Sequence, residues 1–171
     1  MSLAIEQSLD AKVGAIAEQA CQQLFQAYGV DLKPTSEPWG AVGERQLCGI
    51  IGFVGRRLRG TCVLAGSEAP IIASCPASGG TRDWVGELAN QLAGRLKAKF
   101  LALGVEVHLT TPVVLSGMRL EPLPTRNHER RLFATDDGQV MVWIEVDSPE
   151  GIVLGSEHPF PHGGEGDILL F

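Results

Sequence analysis

The chain has 171 residues, 44% of them apolar, and a formal net charge of −6. That is enough for one domain whose core needs no disulfide or metal staple. The acidic balance argues against nonspecific nucleic-acid binding, which needs a basic surface, and no stretch approaches the ~20 apolar residues that span a bilayer.

The start, MSLAIEQSLDAK, carries acids and no long apolar run, so a reducing cytoplasm is the expected location. Leu9, Val13, Ile16, Ala17, Ala20, Leu24 and Tyr28 recur at helical spacing and predict a helix over Leu3–Tyr28. Gly29 suits a left-handed cap after it. An extended segment with Pro34 and Pro38 follows, then strands at Leu47–Val54 and Thr61–Ala65 joined by the turn RRLRG, residues 56–60. Gly40 and Gly43 lack the strand–GxGxxG–helix setting of a nucleotide site. The stretch Ser67–Gly80, with Pro70, Pro76 and two adjacent glycines, reads as a loop holding at most a short helix or strand. Cys21, Cys48, Cys62 and Cys75 lie far apart with no C-x-x-C pair, and buried free thiols are expected.

A second long helix is predicted from Thr81 or Arg82 to Leu103, with Thr81 a candidate N-cap and Asp83 at the positive end of the dipole. Gly104 ends it as Gly29 ends the first. A strand over Val105–Thr110 and a strand-like Pro112–Ser116 come next. RRLFAT and QVMVWIEV form a hairpin across Asp136-Asp137-Gly138, and a short strand is placed at Ile152–Leu154. From about residue 158 the tail is rich in proline and glycine, and its terminal Ile168, Leu169, Leu170 and Phe171 are expected to dock on the body. His158 and His162, near Glu165 and Asp167, have no helix to set their spacing, so no metal site is expected. Arg56, Arg57, Arg59, Arg126, Arg130 and Arg131 read as exposed turn charges able to steer an acidic partner.

QAYGVDLKPTSEP and LALGVEVHLTTP share a helix end, a Gly-Val-acid step, an extended run and a proline, 75 residues apart. This echo suggests two related helix–strand halves in pseudo-symmetric arrangement. At the same offset Glu87 corresponds to Lys12 and Asn90 to Ala15.

The second helix carries a polar stripe. With Glu87 at zero, Asp83 lies near −40° and Asn90 near −60° at ~100° per residue, and Val85, Leu88, Ala89, Leu92, Leu96, Phe100 and Leu103 fall opposite. Taken singly, each polar residue reads as part of a solvated helix face. Gly86, Ala93 and Gly94 fit a helix that another surface must approach, since a helical glycine costs ~1 kcal/mol against alanine.

Asp83-x-x-x-Glu87-x-x-Asn90, followed by Gly94, Lys97, Gly104 and Pro112 in TTPVVLSG, resembles the CheX/CheC/FliY phosphatases of the chemotaxis response regulator CheY. The similarity is good over Asp83–Gly117 and looser from the first helix to the hairpin. The departures are a proline about one residue nearer the amide, and Arg95-Leu96 where relatives often have Asn and a small residue. The single motif copy is closest to CheX. The resemblance implies an α+β fold, two long helices on one face of a mixed, largely antiparallel sheet, filling one domain over 1–171. It implies aspartyl-phosphate hydrolysis on a phosphorylated CheY-like receiver domain. Asn90 would orient the attacking water, Glu87 would pair with the receiver's lysine, and Asp83 and Pro112 would support them. It also implies a homodimer and no cofactor of its own, with magnesium arriving on the receiver. The alternatives are a CheX-like module that docks a receiver or dimerises without turnover, and a structural subunit assembling through its apolar tail.

Overall fold

A computed structural model describes residues 8–40, 44–76, 79–121, 128–148 and 154. Its elements run α1 (Leu9–Ala27), β1 (Lys33–Pro34), β2 (Arg45–Val54), β3 (Arg59–Ser67), α2 (Glu68–Ser74), α3 (Thr81–Ala102), β4 (His108–Leu109), β5 (Val113–Met118), β6 (His128–Ala134) and β7 (Gln139–Asp147). The architecture is α+β: three helices on a seven-stranded sheet ordered β1-β6-β7-β3-β2-β4, with β5 also on β2. Every strand pair is antiparallel, so no parallel pairing mixes the sheet among the described residues.

Several predicted boundaries move. Ser8 Oγ accepts from the Ala11 amide at 3.2 Å and caps α1 at Leu9; the predicted start, Leu3–Gln7, lies outside the described residues. Gly80, not Thr81, is the N-cap of α3 and offers no side chain to it. The Ser67–Gly80 stretch contains α2, whose Pro70 sits in the first turn, where a missing N–H costs nothing. Of the predicted strand Val105–Thr110, only His108 and Leu109 pair. Leu154 is buried, and its carbonyl accepts from Lys12 Nζ at 3.1 Å. Gly43, Arg126, Ile152 and the tail from 158, with its histidines and terminal apolar residues, lie outside the described residues.

The strand order reads alike from both ends. β1, β2 and β3 of the first half correspond to β4, β6 and β7 of the second. Each half sends its short first strand to the far edge, β1 onto β6 and β4 onto β2. The helices cross too: α1 lies on β6 and β7, and α3 lies on β2, β3 and β5. Both long helices end alike. Val30 N donates to Phe25 O and Val105 N to Phe100 O, around Gly29 (φ 77°) and Gly104 (φ 76°). This 6→1 bond with a left-handed glycine is the Schellman ending, and it matches the predicted offset.

The core fills the space between helices and sheet, with Phe25, Phe53, Phe100 and Phe133 fully buried. A smaller cluster of Cys48, Val63, Ala65, Met141 and Trp143 occupies the other sheet face. Cys21, Cys48 and Cys62 are buried and free, as expected, whereas Cys75 is half-exposed. Three arginines are not turn charges. Arg59 opens β3 and pairs with Asp147 at 2.6 Å. Arg130 lies in β6, 3.5 Å from Glu121. Arg131, also in β6, bonds Glu18 of α1 at 3.0 Å and Glu129 at 2.7 Å. No helix among the described residues is long and apolar enough to cross a membrane.

Candidate functional site

α3 is a helix with two unlike faces because its sequence alternates them at helical spacing. Trp84, Val85, Leu88, Ala89, Leu92, Ala93, Leu96 and Phe100 are buried, while Asp83, Glu87 and Asn90 are exposed. The structure thus brings the three predicted polar residues together on one outward face.

The height of that face above the sheet is set by small residues. A Cβ on Gly49 of β2 would lie 2.6 Å from Ala89 Cβ and 2.9 Å from the Val85 carbonyl oxygen, so the helix rests on bare backbone. Gly86 is also buried, and a Cβ there would come within 3.0 Å of Val114 Cγ2 in β5. Gly86 and Ala93 therefore serve packing within the chain, not approach from outside. Gly94 is different: it is exposed, and a Cβ there would meet nothing within 4 Å. It lies about 20° from Glu87 around the helix. Leu101, 48% exposed, continues the same face about two turns further on.

Pro112 sits just before β5. From Leu109 to Val113 the chain takes four steps, while the paired β2 residues Phe53 to Ile50 take three. The extra residue is a bulge in one edge strand, the kind of position where a proline's missing N–H does no harm. Beyond the bulge, β5 lies against α3 through Val114.

Glu87 is held by a chain of contacts outside the Asp83–Glu87–Asn90 motif. Gln91 Nε2 donates to Glu87 Oε1 at 2.9 Å. The Tyr28 hydroxyl, at the end of α1, donates to Gln91 Oε1 at 2.9 Å. The Tyr28 ring meets Trp84 edge-on at 4.9 Å, and Trp84 Nε1 donates to Ser74 Oγ of α2 at 3.0 Å. Gln91 stands at i+4 from Glu87, a spacing that flags such a bond. Nothing local flags Tyr28, because its contact spans 63 residues.

Among the described residues no group of three His, Cys, Asp or Glu converges to hold a metal. The site offers an exposed carboxylate, an exposed neutral amide one turn on, and open space beyond them. It can accept from a cation and both accept from and donate to a polar group, but it encloses no substrate of its own.

The family model described as chemotaxis phosphatase CheX matches residues 47–132, half of the chain. No curated protein matches the chain significantly. Among solved structures, chemotaxis protein CheX from Vibrio vulnificus is 21% identical with a TM-score of 0.68, covering 82% of this chain and 100% of its own. A CheC-like superfamily protein from a Shewanella species is 20% identical with a TM-score of 0.67, covering 83% and 100%. The CheX–CheY–BeF3–Mg complex from Borrelia burgdorferi is 15% identical with a TM-score of 0.54, covering 80% and 97%.

Proposed function

The chain belongs to the CheX family of chemotaxis phosphatases, and from that premise we propose that it hydrolyses the aspartyl phosphate of a CheY-like receiver domain. The observation that carries this is the outward pairing of Glu87 and Asn90 on a helix whose other face is fully anchored. A solved relative is a complex of CheX with CheY, BeF3 and magnesium, which supports a receiver as the partner.

The chemistry follows from what each group can do. Water must attack phosphorus in line as the bond to the aspartyl oxygen breaks, giving a carboxylate and inorganic phosphate. Asn90 enters the receiver site. Its carbonyl accepts from the water and its NH₂ donates to a phosphoryl oxygen. Being neutral, it adds no charge against the phosphoryl group, as an aspartate would. Glu87 pairs with the receiver's lysine and fixes the docked pose, and Asp83 extends that contact. Pro112 acts at a distance by shaping the edge strand that backs α3. The receiver brings its own magnesium, so this chain contributes positioning. A homodimer and a cytoplasmic location belong to the same proposal, and sedimentation of the purified protein tests the dimer.

Asn90→Ala should reduce receiver dephosphorylation by about 100-fold or more, down to the receiver's unassisted rate, because a misplaced water forfeits the positioning gain. The thermal melt should stay that of the wild type, since Asn90 is exposed. Hydrolysis at the wild-type rate by this variant would refute the mechanism. A wild-type protein that binds the receiver without hastening its decay would instead be a docking module.

A further inference from the structure

We propose that Gln91 and Tyr28 are positioning residues that set the Glu87 carboxylate in its docking geometry before the receiver arrives. This rests on the phosphatase reading above. Glu87 is exposed, and a free glutamate on a helix surface samples several rotamers that docking must freeze. Holding the carboxylate in place beforehand removes that cost from binding.

The bonding pattern has one consistent assignment. A carboxylate only accepts, so the Gln91 amide must present its NH₂ to Glu87 Oε1. Its Oε1 then faces Tyr28, whose hydroxyl donates to it. Without that hydroxyl, the amide keeps only its bond to Glu87 and is no longer tied to α1. Tyr28 is itself held at the capped end of α1 and against the Trp84 ring, and Trp84 is tied to α2 through Ser74. The relay therefore anchors an exposed carboxylate to buried structure from three helices.

The chemical character of residue 91 also fits. A lysine or arginine there would hold Glu87 but compete for the charge that the receiver's lysine must meet. The neutral amide holds Oε1 and leaves the negative charge, with Oε2, available to the partner. No counterpart exists in the first half, where the residue 75 positions before Gln91 is Ile16.

The test uses the full chain and a CheY-type receiver loaded with beryllofluoride and magnesium for Kd, and with phosphate for kinetics. Tyr28→Phe, which keeps the ring, and Gln91→Leu should each raise Kd and KM on the order of threefold to tenfold. The loss should fall on these values and not on kcat, whereas Asn90→Ala should lose kcat. In a Glu87→Ala background, Gln91→Leu should add nothing further. Unchanged Kd in both single variants, with Asn90→Ala inactive, overturns the positioning role alone. So does an undiminished effect of Gln91→Leu when Glu87 is absent. A fully active Asn90→Ala, or no receiver binding by wild type, overturns the phosphatase reading and this inference together.

Discussion

Asn90 and Glu87 stand one turn apart on the same exposed face, and the proposed mechanism asks different things of them. In the proposed mechanism Asn90 acts by what it is, a neutral group with both a donor and an acceptor. In the same proposal Glu87 acts by where its charge is held, and the side chain that bonds it is Gln91. At the same scale, the cysteines show how burial decides reactivity. Burial pushes the Cys48 thiol from 9.0 up to about 11, and burial together with neighbouring Cys48 pushes Cys62 up to about 12. Burial also raises Cys21 well above the ordinary value, with Cys62 adding to the shift. The thiolate is the reactive form, so a thiol reagent on the native protein at pH 8 should label half-exposed Cys75 alone. Cys21, Cys48 and Cys62 should react only after denaturation. Below about pH 9 both folded and unfolded chains keep these protons, and the full stability is present. Above it the unfolded chain ionises first, so stability should fall as pH rises toward the folded values, by about 1.4 kcal/mol per unit for each such thiol. Denaturant midpoints measured across pH 8 to 11 check the sign.

Two glycines bear on α3 in opposite ways. Gly49→Ala would drive a methyl into Ala89 and the Val85 carbonyl, and overpacking of this kind costs about 1–3 kcal/mol. Its melting temperature should drop, and its receiver affinity with it, because the site helix must lift. Gly94→Ala meets open space, so it should stabilise the fold by up to about 1 kcal/mol through helix propensity. If Gly94 exists to admit the partner closely, that stabler variant binds the receiver more weakly. Thermal melts and receiver titrations of the two variants read both effects. These elements also mark how far the sequence could be read. The period of α3, the glycine endings at 29 and 104, and the Asp136-Asp137-Gly138 hairpin are local signals, and each has its counterpart in the fold. The sequence admits α2 only as a short helix or strand within a loop, because Pro70 and the following Pro76 look like loop punctuation, whereas the helix depends on burying Ile71. The predicted strand Val105–Thr110 shrank to two paired residues because Val105 and Val107 are buried outside the ladder. The Tyr28–Gln91 bond was illegible because it joins residues that only the tertiary packing brings together.

The molecule as a whole is two copies of one helix-and-strands plan laid through each other. The 75-residue echo, thin in the sequence, corresponds to matching strand places and matching helix ends. Only the second copy carries the carboxylate and amide, since Lys12 and Ala15 stand at the equivalent places. Because each helix lies on strands of the other copy, and each copy's short strand completes the other's edge, neither copy owns a finished core. The consequence is kinetic and practical: unfolding should be a single event, with amides of α1 and α3 exchanging hydrogen at one common slow rate. A chain severed between Cys75 and Gly79 should give two fragments that stay unfolded apart. Mixed, they should regain the native spectrum by complementation. Independent folding of either fragment would contradict this interlocking.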